Sequence, residues 1–309
     1  MELTSIPGPR PLAVPVGGNK AAPRWRSSIR LAAWLTFIIA LIVALAQLPI
    51  NPRNRNHCLD TITKGWWLRS EKHLWQPSGC TLHQYTPKDI SKCYDSTQYA
   101  LFIGDSNTRA KFYTFAAAID PDFVSPGKAH SDIPVYRKDG SLAAYFIWDQ
   151  YLISDKTNAV MSAEVPLVLG THTLYRRPSL LVLGTGAWYL AYKDMSGGLT
   201  KWRQTVDSLA DLIAKDASLH QIADAIYLSP MYPIDELATD ARYRGKISPK
   251  EIDWVNSHLT SFSPYINIPT AWISMAKSSV NQTIDGLHYS DLVETQAMNI
   301  IYNHRCNDK

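Results

Sequence analysis

The chain has 309 residues, of which 46% are apolar, so it is long enough for one large domain or two small ones with a sizeable core. Its formal charge of +4 is confined to the N-terminal tail, since residues 1–30 hold five of the 31 Lys and Arg residues and one of the 27 acidic residues. A nucleic-acid-binding domain would carry a basic patch on its folded part, and the charge distribution gives no sign of one.

Residues 1–30 are basic, rich in Pro and Gly and without apolar periodicity, which predicts a disordered cytosolic tail. Residues 31–50 follow with 20 positions that lack a charged side chain. Such a helix spans roughly 30 Å, the hydrocarbon thickness of a bilayer, and the basic residues before it favour a cytosolic N-terminus. We expect a single-pass signal anchor with a lumenal or extracellular remainder. The alternatives are a signal peptide cleaved near residues 44–46 and a buried soluble helix.

Four cysteines lie beyond this segment: Cys58, Cys80, Cys93 and Cys306. In an oxidising compartment they indicate two disulfides, with three connectivities open. Cys80 and Cys93 are close enough in sequence to close a small loop, which would leave Cys58 to pair with Cys306. The paired short spacings of a zinc site are missing, so no metal is expected. Asn281 begins the single N-glycosylation sequon, which agrees with a lumenal domain.

Residues 51–98 are rich in Trp, Pro and Cys, and we expect an irregular segment that wraps around the domain that follows. From residue 99 onward, short apolar runs alternate with helical patterns, which predicts a mostly parallel sheet covered on both faces. The expected fold class is therefore α/β, a three-layer α/β/α domain over residues 99–309. Its predicted strands are residues 99–104, 143–148, 179–184, 225–230 and 270–274, and its predicted helices are residues 108–119, 199–217, 248–259 and 289–304.

Ser106 lies in "YALFIGDSNTRAKFY", where the first predicted strand gives way to a helix. Ligands bind at the carboxyl ends of strands in such sheets, and the amides at a helix start favour negative charge. A serine nucleophile needs a base and an acceptor that orients the base, and "TIDGLHYSD" supplies His288 and Asp285 three residues apart. The alternative is that Ser106 or Asp105 only caps the helix.

Together, "IGDSNTR" and "DGLHYSD" resemble the GDSL/SGNH hydrolase superfamily, and within it the PC-esterase branch with its GDS-x-x-R and late D-x-x-H motifs. The chain is similar to the N-terminal lumenal domain of the capsule and sialate O-acetyltransferase family, which includes fungal capsule-acetylation proteins. Three further segments resemble that family in the same order: residues 75–85, 146–151 and 183–190. The likeness covers residues 57–309.

The resemblance implies an SGNH-like, flavodoxin-like domain with Ser106 as nucleophile, His288 as general base and Asp285 as the acceptor that orients it. It also implies that Arg109 stabilises the oxyanion alongside the Ser106 backbone amide. The alternative for Arg109 is a solvated helix residue.

Other members of the superfamily use a glycine and an asparagine from later segments as oxyanion donors. Here "GTGAW" lacks the asparagine, so Gly184 and Gly186 are expected to offer backbone contacts alone. Trp188 is a candidate for stacking on a sugar ring, and the alternative is that it belongs to the core.

The resemblance implies a glycan O-acetyltransferase that works through an acyl-serine, with acetyl-CoA as the ultimate donor and no tightly bound cofactor. The implied acceptor is a glycan or polysaccharide, and the implied location is a Golgi or other secretory-pathway membrane. Members of the family continue into a multi-pass acyltransferase region, so a separate multi-pass membrane partner is a further expectation. A carbohydrate O-acetyl esterase and a non-catalytic glycan-binding module stay open as alternatives.

Overall fold

The computed structural model describes Trp34, Ile38 and residues 61–68, 74–78, 81–127, 130–169, 172–216, 221–234, 243–279 and 282–306. The chain divides into two compact units, Met1–Pro52 and Arg53–Lys309. In the first unit, both described residues are helical and exposed. The rest of the predicted anchor lies outside the described residues. Within the part of the chain that is described, no helix is both long and apolar enough to cross a bilayer.

The second unit alternates strands with helices along most of its described length. Its strands are β1 (Gly65–Trp67), β2 (Trp75–Pro77), β3 (Ala100–Gly104), β4 (Ile133–Tyr136), β5 (Leu142–Trp148), β6 (Leu167–Leu169), β7 (His172–Leu174), β8 (Leu180–Gly184) and β9 (Ile226–Leu228). Its helices are α1 (Pro87–Cys93), α2 (Ser106–Ile119), α3 (Asp155–Met161), α4 (Ala187–Ala191), α5 (Lys193–Ser196), α6 (Gly198–Asp216), α7 (Pro249–Thr260), α8 (Ala271–Lys277) and α9 (Asp291–Cys306).

The central sheet has five strands in the order β4–β5–β3–β8–β9. β3 pairs in parallel with β5 and β8, and β9 pairs in parallel with β8, whereas the edge strand β4 runs antiparallel to β5. Gly104 at the end of β3 is level with Trp148 on one side and Gly184 on the other. The carboxyl ends of the three middle strands therefore meet at one edge of the sheet.

Two apolar cores cover the two faces of this sheet, and β3 contributes to both by alternation. Leu101 and Ile103 face the core that includes α6 and α7, whereas Ala100 and Phe102 face the core that includes α1, α2, α8 and α9. A strand buried on both faces reads as a continuous apolar run, as in a parallel sheet. The expected three-layer α/β/α architecture is confirmed, with a mixed rather than an all-parallel sheet.

The predicted strand over residues 270–274 is wrong, because this segment forms helix α8. Its apolar residues recur at helical spacing, and Trp272, Met275 and Ala276 are all buried. A short apolar run cannot be assigned to strand or helix by periodicity alone. No sixth strand forms beside β9 in the described residues. Tyr227 of β9 and Asn267, in the loop that precedes α8, form an isolated parallel bridge.

That residues 51–98 wrap around the sheet domain stays a prediction, but the described part of this segment is only partly irregular. It contains β1, β2 and α1, and the two strands form an antiparallel hairpin. The hairpin is tied to helices at the far end of the chain, since Trp67 Nε1 donates to the Met275 carbonyl at 3.2 Å and the Trp75 backbone N–H donates to Gln296 Oε1 at 3.1 Å.

A disulfide joins Cys93 at the end of α1 to Cys306 at the end of α9, with 5.7 Å between their Cα atoms. The pairings favoured by sequence distance, Cys80 with Cys93 and Cys58 with Cys306, are therefore wrong. The cost of closing a loop grows slowly with its length, so the fold that brings the ends of α1 and α9 together decides the partner rather than proximity in sequence. Cys58, Cys80 and Asn281 lie outside the described residues.

Candidate active site

Helix α2 begins directly at the carboxyl end of the central strand β3. Asp105 is its N-cap residue, and the Asp105 side chain accepts a hydrogen bond from the Asn107 N–H at 3.0 Å. Ser106 is the first helical residue. Because Asp105 does the capping, the Ser106 hydroxyl is available for another contact.

Two glycines allow the strand ends and α2 to come this close. Gly104 has φ +155°, and a Cβ built on it would lie 2.1 Å from the Gly184 carbonyl oxygen. A Cβ on Gly184 would lie 2.3 Å from Thr108 Oγ1. The Gly184 carbonyl instead accepts hydrogen bonds from the Asp105 N–H at 3.4 Å and the Thr108 hydroxyl at 3.3 Å, which fixes the first turn of α2 against β8.

The structure brings Ser106, His288 and Asp285 together although they are far apart in sequence. Ser106 Oγ lies 2.6 Å from His288 Nε2, across 182 positions of the chain. The other ring nitrogen, His288 Nδ1, lies 2.8 Å from Asp285 Oδ2 and 3.0 Å from Asp285 Oδ1. The three side chains therefore form one continuous series of hydrogen bonds, with the imidazole in the middle.

The loop between α8 and α9 presents Asp285 and His288 in a fixed geometry. The backbone N–H groups of Leu287 and His288 donate to Asp285 Oδ1 at 3.1 and 2.9 Å. Burial alone would raise the pKa of Asp285, but the hydrogen bonds and charge of His288 and the Leu287 N–H hold the pKa of that carboxyl well below its usual range. The carboxylate is therefore ionised and faces the imidazole as a hydrogen-bond acceptor.

A cavity of about 250 Å³ opens beside the Ser106 hydroxyl, and Arg109 and Trp188 help to line it. Arg109 has a relative exposure of 7%, so the alternative of a solvated helix residue is wrong. Burial lowers the pKa of its guanidinium, which lies 5.3 Å from the ring centre of Trp148 and 5.9 Å from that of Tyr113. A fixed positive charge thus sits within the lining of the serine cavity.

Aromatic rings form much of the remaining wall of this cavity. Trp188 is half-buried and lies 4.9 Å from Tyr192 and 6.0 Å from Trp148, measured between ring centres, so it is not a core residue. His130 stacks on Trp148 at 4.3 Å with an interplanar angle of 11°. Aromatic faces in a cavity of this size suit a small ligand with an apolar face and polar edges, such as a sugar.

Gly184 and Gly186 are not among the described residues that line the serine cavity, and their expected backbone contacts with the oxyanion stay a prediction. The Gly184 carbonyl is used by α2, as described above. Gly186 has φ +142°, and a Cβ on it would lie 2.4 Å from the Sδ of Met231, so this glycine permits close packing at the start of α4.

Sequence reasoning did not single out His130, Trp148, Tyr192 or Tyr243 as lining residues of the cavity. Trp148 had a usable signal, because it ends strand β5 at the same sheet edge as Ser106. His130 and Tyr243 lie in loops, where neither periodicity nor a motif marks them. Across the described ranges, no group of three or more His, Cys, Asp and Glu side chains could hold a metal ion.

The fold and the site define an α/β protein with a Ser-His-Asp arrangement at the carboxyl edge of its sheet. Comparison with known proteins finds N-acetylneuraminate (7)9-O-acetyltransferase of Danio rerio, 26% identical over 260 residues, which are 81% of this chain and 31% of that protein. The chain therefore spans about a third of the length of this relative. No protein-family model matches the chain.

Proposed function

We propose that this chain is a glycan O-acetyltransferase in which Ser106, His288 and Asp285 act as a catalytic triad through an acetyl-serine intermediate. The 2.6 Å contact between Ser106 Oγ and His288 Nε2 carries the proposal, because an imidazole at that distance can make a serine hydroxyl nucleophilic. The similarity to an N-acetylneuraminate O-acetyltransferase supports acetyl transfer to a glycan as the class of reaction.

In the first half-reaction, His288 Nε2 takes the proton of the Ser106 hydroxyl while Oγ bonds to the carbonyl carbon of the acetyl donor. Asp285 accepts a hydrogen bond from Nδ1 and stabilises the imidazolium that forms. The tetrahedral intermediate then loses the donor's leaving atom, which takes the proton from Nε2. With acetyl-CoA, our proposed ultimate donor, that atom is the thioester sulfur, and acetyl-Ser106 remains.

In the second half-reaction, a glycan hydroxyl gives its proton to His288 Nε2 while its oxygen attacks the acetyl carbon. The bond between that carbon and Ser106 Oγ breaks, and Oγ recovers the proton from Nε2. The product is an O-acetylated sugar. Water in place of the sugar hydroxyl would release acetate, so transfer and hydrolysis differ only in the second nucleophile.

Both half-reactions place a negative charge on the carbonyl oxygen. The Arg109 guanidinium, in the lining of the same cavity, is our proposed counter-charge. The backbone N–H of Ser106, at the positive end of α2, is its proposed partner. The half-buried Trp188 ring is the proposed packing surface for the acceptor sugar.

We further propose that residues 31–50 anchor the chain in a Golgi or other secretory-pathway membrane with the second unit in the lumen, and that it has a multi-pass acyltransferase partner. The uncharged apolar run supports the anchor, and the family resemblance supports the location and the partner. The assignments to the PC-esterase branch and to fungal capsule proteins likewise stay predictions.

The decisive experiment is intact-mass spectrometry of the protein after incubation with acetyl-CoA or 4-nitrophenyl acetate and no acceptor. We expect a single acetyl adduct that is lost in Ser106→Ala and kept in Ser278→Ala, a matched control at an exposed helix end. Chase with an oligosaccharide should transfer the acetyl group to sugar. Release of acetate whatever the acceptor would instead identify an esterase, and no adduct with either donor would favour a glycan-binding module.

A further inference from the structure

A second and larger cavity, of about 620 Å³, lies on the face of the sheet that is covered by α2 and α9. One wall is a single stripe of α9, since its residues are spaced by four, four and three positions: Asp291, Thr295, Asn299 and Tyr302. The opposite wall comes from α2 and includes Thr114 and Ala117. We call this cavity the α2–α9 groove.

The α2–α9 groove starts near the serine cavity and leads away from it. α2 begins at Ser106, and α9 begins at Asp291, three residues after His288, so both helices run from the same edge of the sheet. Tyr113 lines the groove, and its ring contacts the guanidinium of Arg109, which lines the serine cavity. At 1.5 Å per residue the α9 wall extends for roughly 16 Å, which is longer than a single sugar ring.

The chemistry of the groove suits an uncharged, hydroxyl-rich ligand. Its described lining consists of aromatic rings, small apolar side chains, hydroxyls and amides, with Asp291 as its one carboxylate and no Lys, Arg or His. A phosphate or carboxylate group would meet no cation among the described lining residues and would face the negative charge of Asp291. A phosphorylated donor such as acetyl-CoA is therefore poorly matched to this groove, whereas sugar hydroxyls and sugar ring faces are well matched.

Two lining residues carry a buried polar atom that has no hydrogen-bond partner among the described residues: Asn299 Nδ2 and the Tyr302 hydroxyl. Their relative exposures are 4% and 3%. Asn299 Oδ1 accepts from the Tyr85 N–H at 3.2 Å, whereas Nδ2 donates to no atom of the described residues. Buried polar groups are generally satisfied, so a side-chain rearrangement that brings either atom to the groove surface would give it a hydrogen-bond partner in a bound ligand.

We propose that the α2–α9 groove binds a neutral oligosaccharide segment of the acceptor while the sugar to be acetylated occupies the cavity at Ser106. The link to acceptor binding rests on the function proposed above. The groove would make the protein select a chain of several sugars over a free monosaccharide, because a monosaccharide in the serine cavity does not reach the α9 stripe.

The test is calorimetric binding to the full-length chain carrying Ser106→Ala, which cannot turn over. The probes are xylotetraose, mannotetraose and cellotetraose with the matching monosaccharides, and tetragalacturonate as an anionic probe. We expect at least one neutral tetrasaccharide to bind about tenfold or more tightly than its monosaccharide, and tetragalacturonate to bind no more tightly than the monosaccharides.

Two variants fill the groove from opposite walls, Ala117→Trp on α2 and Thr295→Trp on α9, and both positions are exposed. Each should weaken tetrasaccharide binding about fivefold or more. Ala214→Trp, at an exposed alanine of α6 on the other face of the sheet, should leave it unchanged. Equal binding of tetrasaccharides and monosaccharides, tighter binding of an anionic probe, or unchanged binding in both groove variants would overturn the inference. The acetyl adduct on Ser106 is measured without any glycan. The proposed acetyl-serine mechanism and the proposed oligosaccharide binding in the groove can therefore fail independently.

Discussion

Asp105 and Ser106 are neighbours in sequence but make different contacts, and the geometry of the site depends on this difference. Asp105 caps α2, and Ser106, one position later, directs its hydroxyl to His288. The motifs in the sequence were sufficient to predict that Ser106, His288 and Asp285 come together, because a nucleophilic serine would need a base and an acceptor that orients it. They could not choose between capping and attack at Ser106, since both need a polar side chain at a helix start.

At this scale the first prediction concerns Asp285, which orients His288. Asp285→Asn should lower the turnover number on the order of 10³–10⁴-fold, because the amide cannot hold the imidazole in the required tautomer or stabilise its charged form. Turnover of 4-nitrophenyl acetate measures the effect, and unchanged circular dichroism shows that the fold is kept. Asp253→Asn, at an exposed aspartate of α7, is the matched control. Full activity in Asp285→Asn would remove this carboxylate from the mechanism.

The lowered pKa of Asp285 also predicts how stability depends on pH. A carboxyl whose pKa is lower in the folded than in the unfolded state stabilises the fold above its unfolded pKa, about 4 for Asp, and this contribution is lost as the pH falls below that value. The difference in free energy of unfolding between the wild type and Asp285→Asn should therefore be largest near neutral pH and shrink in acid. Urea titrations at several pH values measure it, and a difference that grows in acid would contradict the prediction.

Arg109 gives a third prediction for a single residue. Arg109→Gln should lower the turnover number on the order of 10²-fold, because the oxyanion loses its nearby positive charge. Arg109→Lys keeps the charge and should recover part of the activity. If both variants lose activity equally and are equally destabilised, the guanidinium acts through its packing on Trp148 rather than through its charge.

A buried ion pair joins α2, which begins at Ser106, to α9, which follows the loop that contains Asp285 and His288. Lys111 of α2 lies 3.4 Å from Glu294 of α9, and their side chains are 1% and 2% exposed. The Lys111 ammonium also lies 4.2 Å from the ring centre of Tyr232, whose hydroxyl donates to Glu294 Oε2 at 3.0 Å. The pair thus joins the second turn of α2 to the first turn of α9.

Replacing one member of this ion pair should lower the free energy of unfolding more than replacing both members. Lys111→Met leaves a buried carboxylate without its cation and should lower the free energy of unfolding by about 3–5 kcal/mol. Lys111→Met combined with Glu294→Met should recover most of that loss, because apolar side chains fill the space without a buried charge. Urea denaturation compares the variants, and additive losses in the double variant would show that the two residues are not coupled.

The apolar runs of β3, β5, β8 and β9 could be predicted because these strands are buried on both faces. β4 could not, because Pro134 lies within it and proline argues against a strand except at an edge, where β4 in fact lies. α8 was mistaken for a strand because seven residues are too few for periodicity to decide. The pattern of apolar residues therefore predicted the strands that are buried on both faces, but neither the edge strand nor the short helix.

In the molecule as a whole, contacts between distant parts of the chain were the least accessible to sequence reasoning. The partner of Cys93 is 213 residues away, and the serine cavity takes lining residues from several loops. Neither local composition nor spacing contains this information, because it is set by how helices pack on the finished sheet. The contact between Ser106 and His288 is the exception, because the residue types of the two motifs predicted it although they are far apart in sequence.

The Cys93–Cys306 disulfide gives the prediction for the whole second unit. Replacing both cysteines by serine should lower the free energy of unfolding by about 2–5 kcal/mol, since the bond restricts a long stretch of the unfolded chain. Urea denaturation under oxidising conditions measures the effect, with the reduced wild type as a comparison. A double variant as stable as the oxidised protein would contradict a stabilising role.

The distance of 182 residues between the serine and its base also has a consequence for how the protein is made. During translation the hydroxyl leaves the ribosome long before the histidine has been added, and domains generally fold from the N-terminal side as they emerge. Under the proposed mechanism, the nascent chain is therefore unreactive toward an activated acyl group until His288 has been added. Under that mechanism, reactivity arises only when His288 and the last helix have docked, and the same step completes the walls of both cavities.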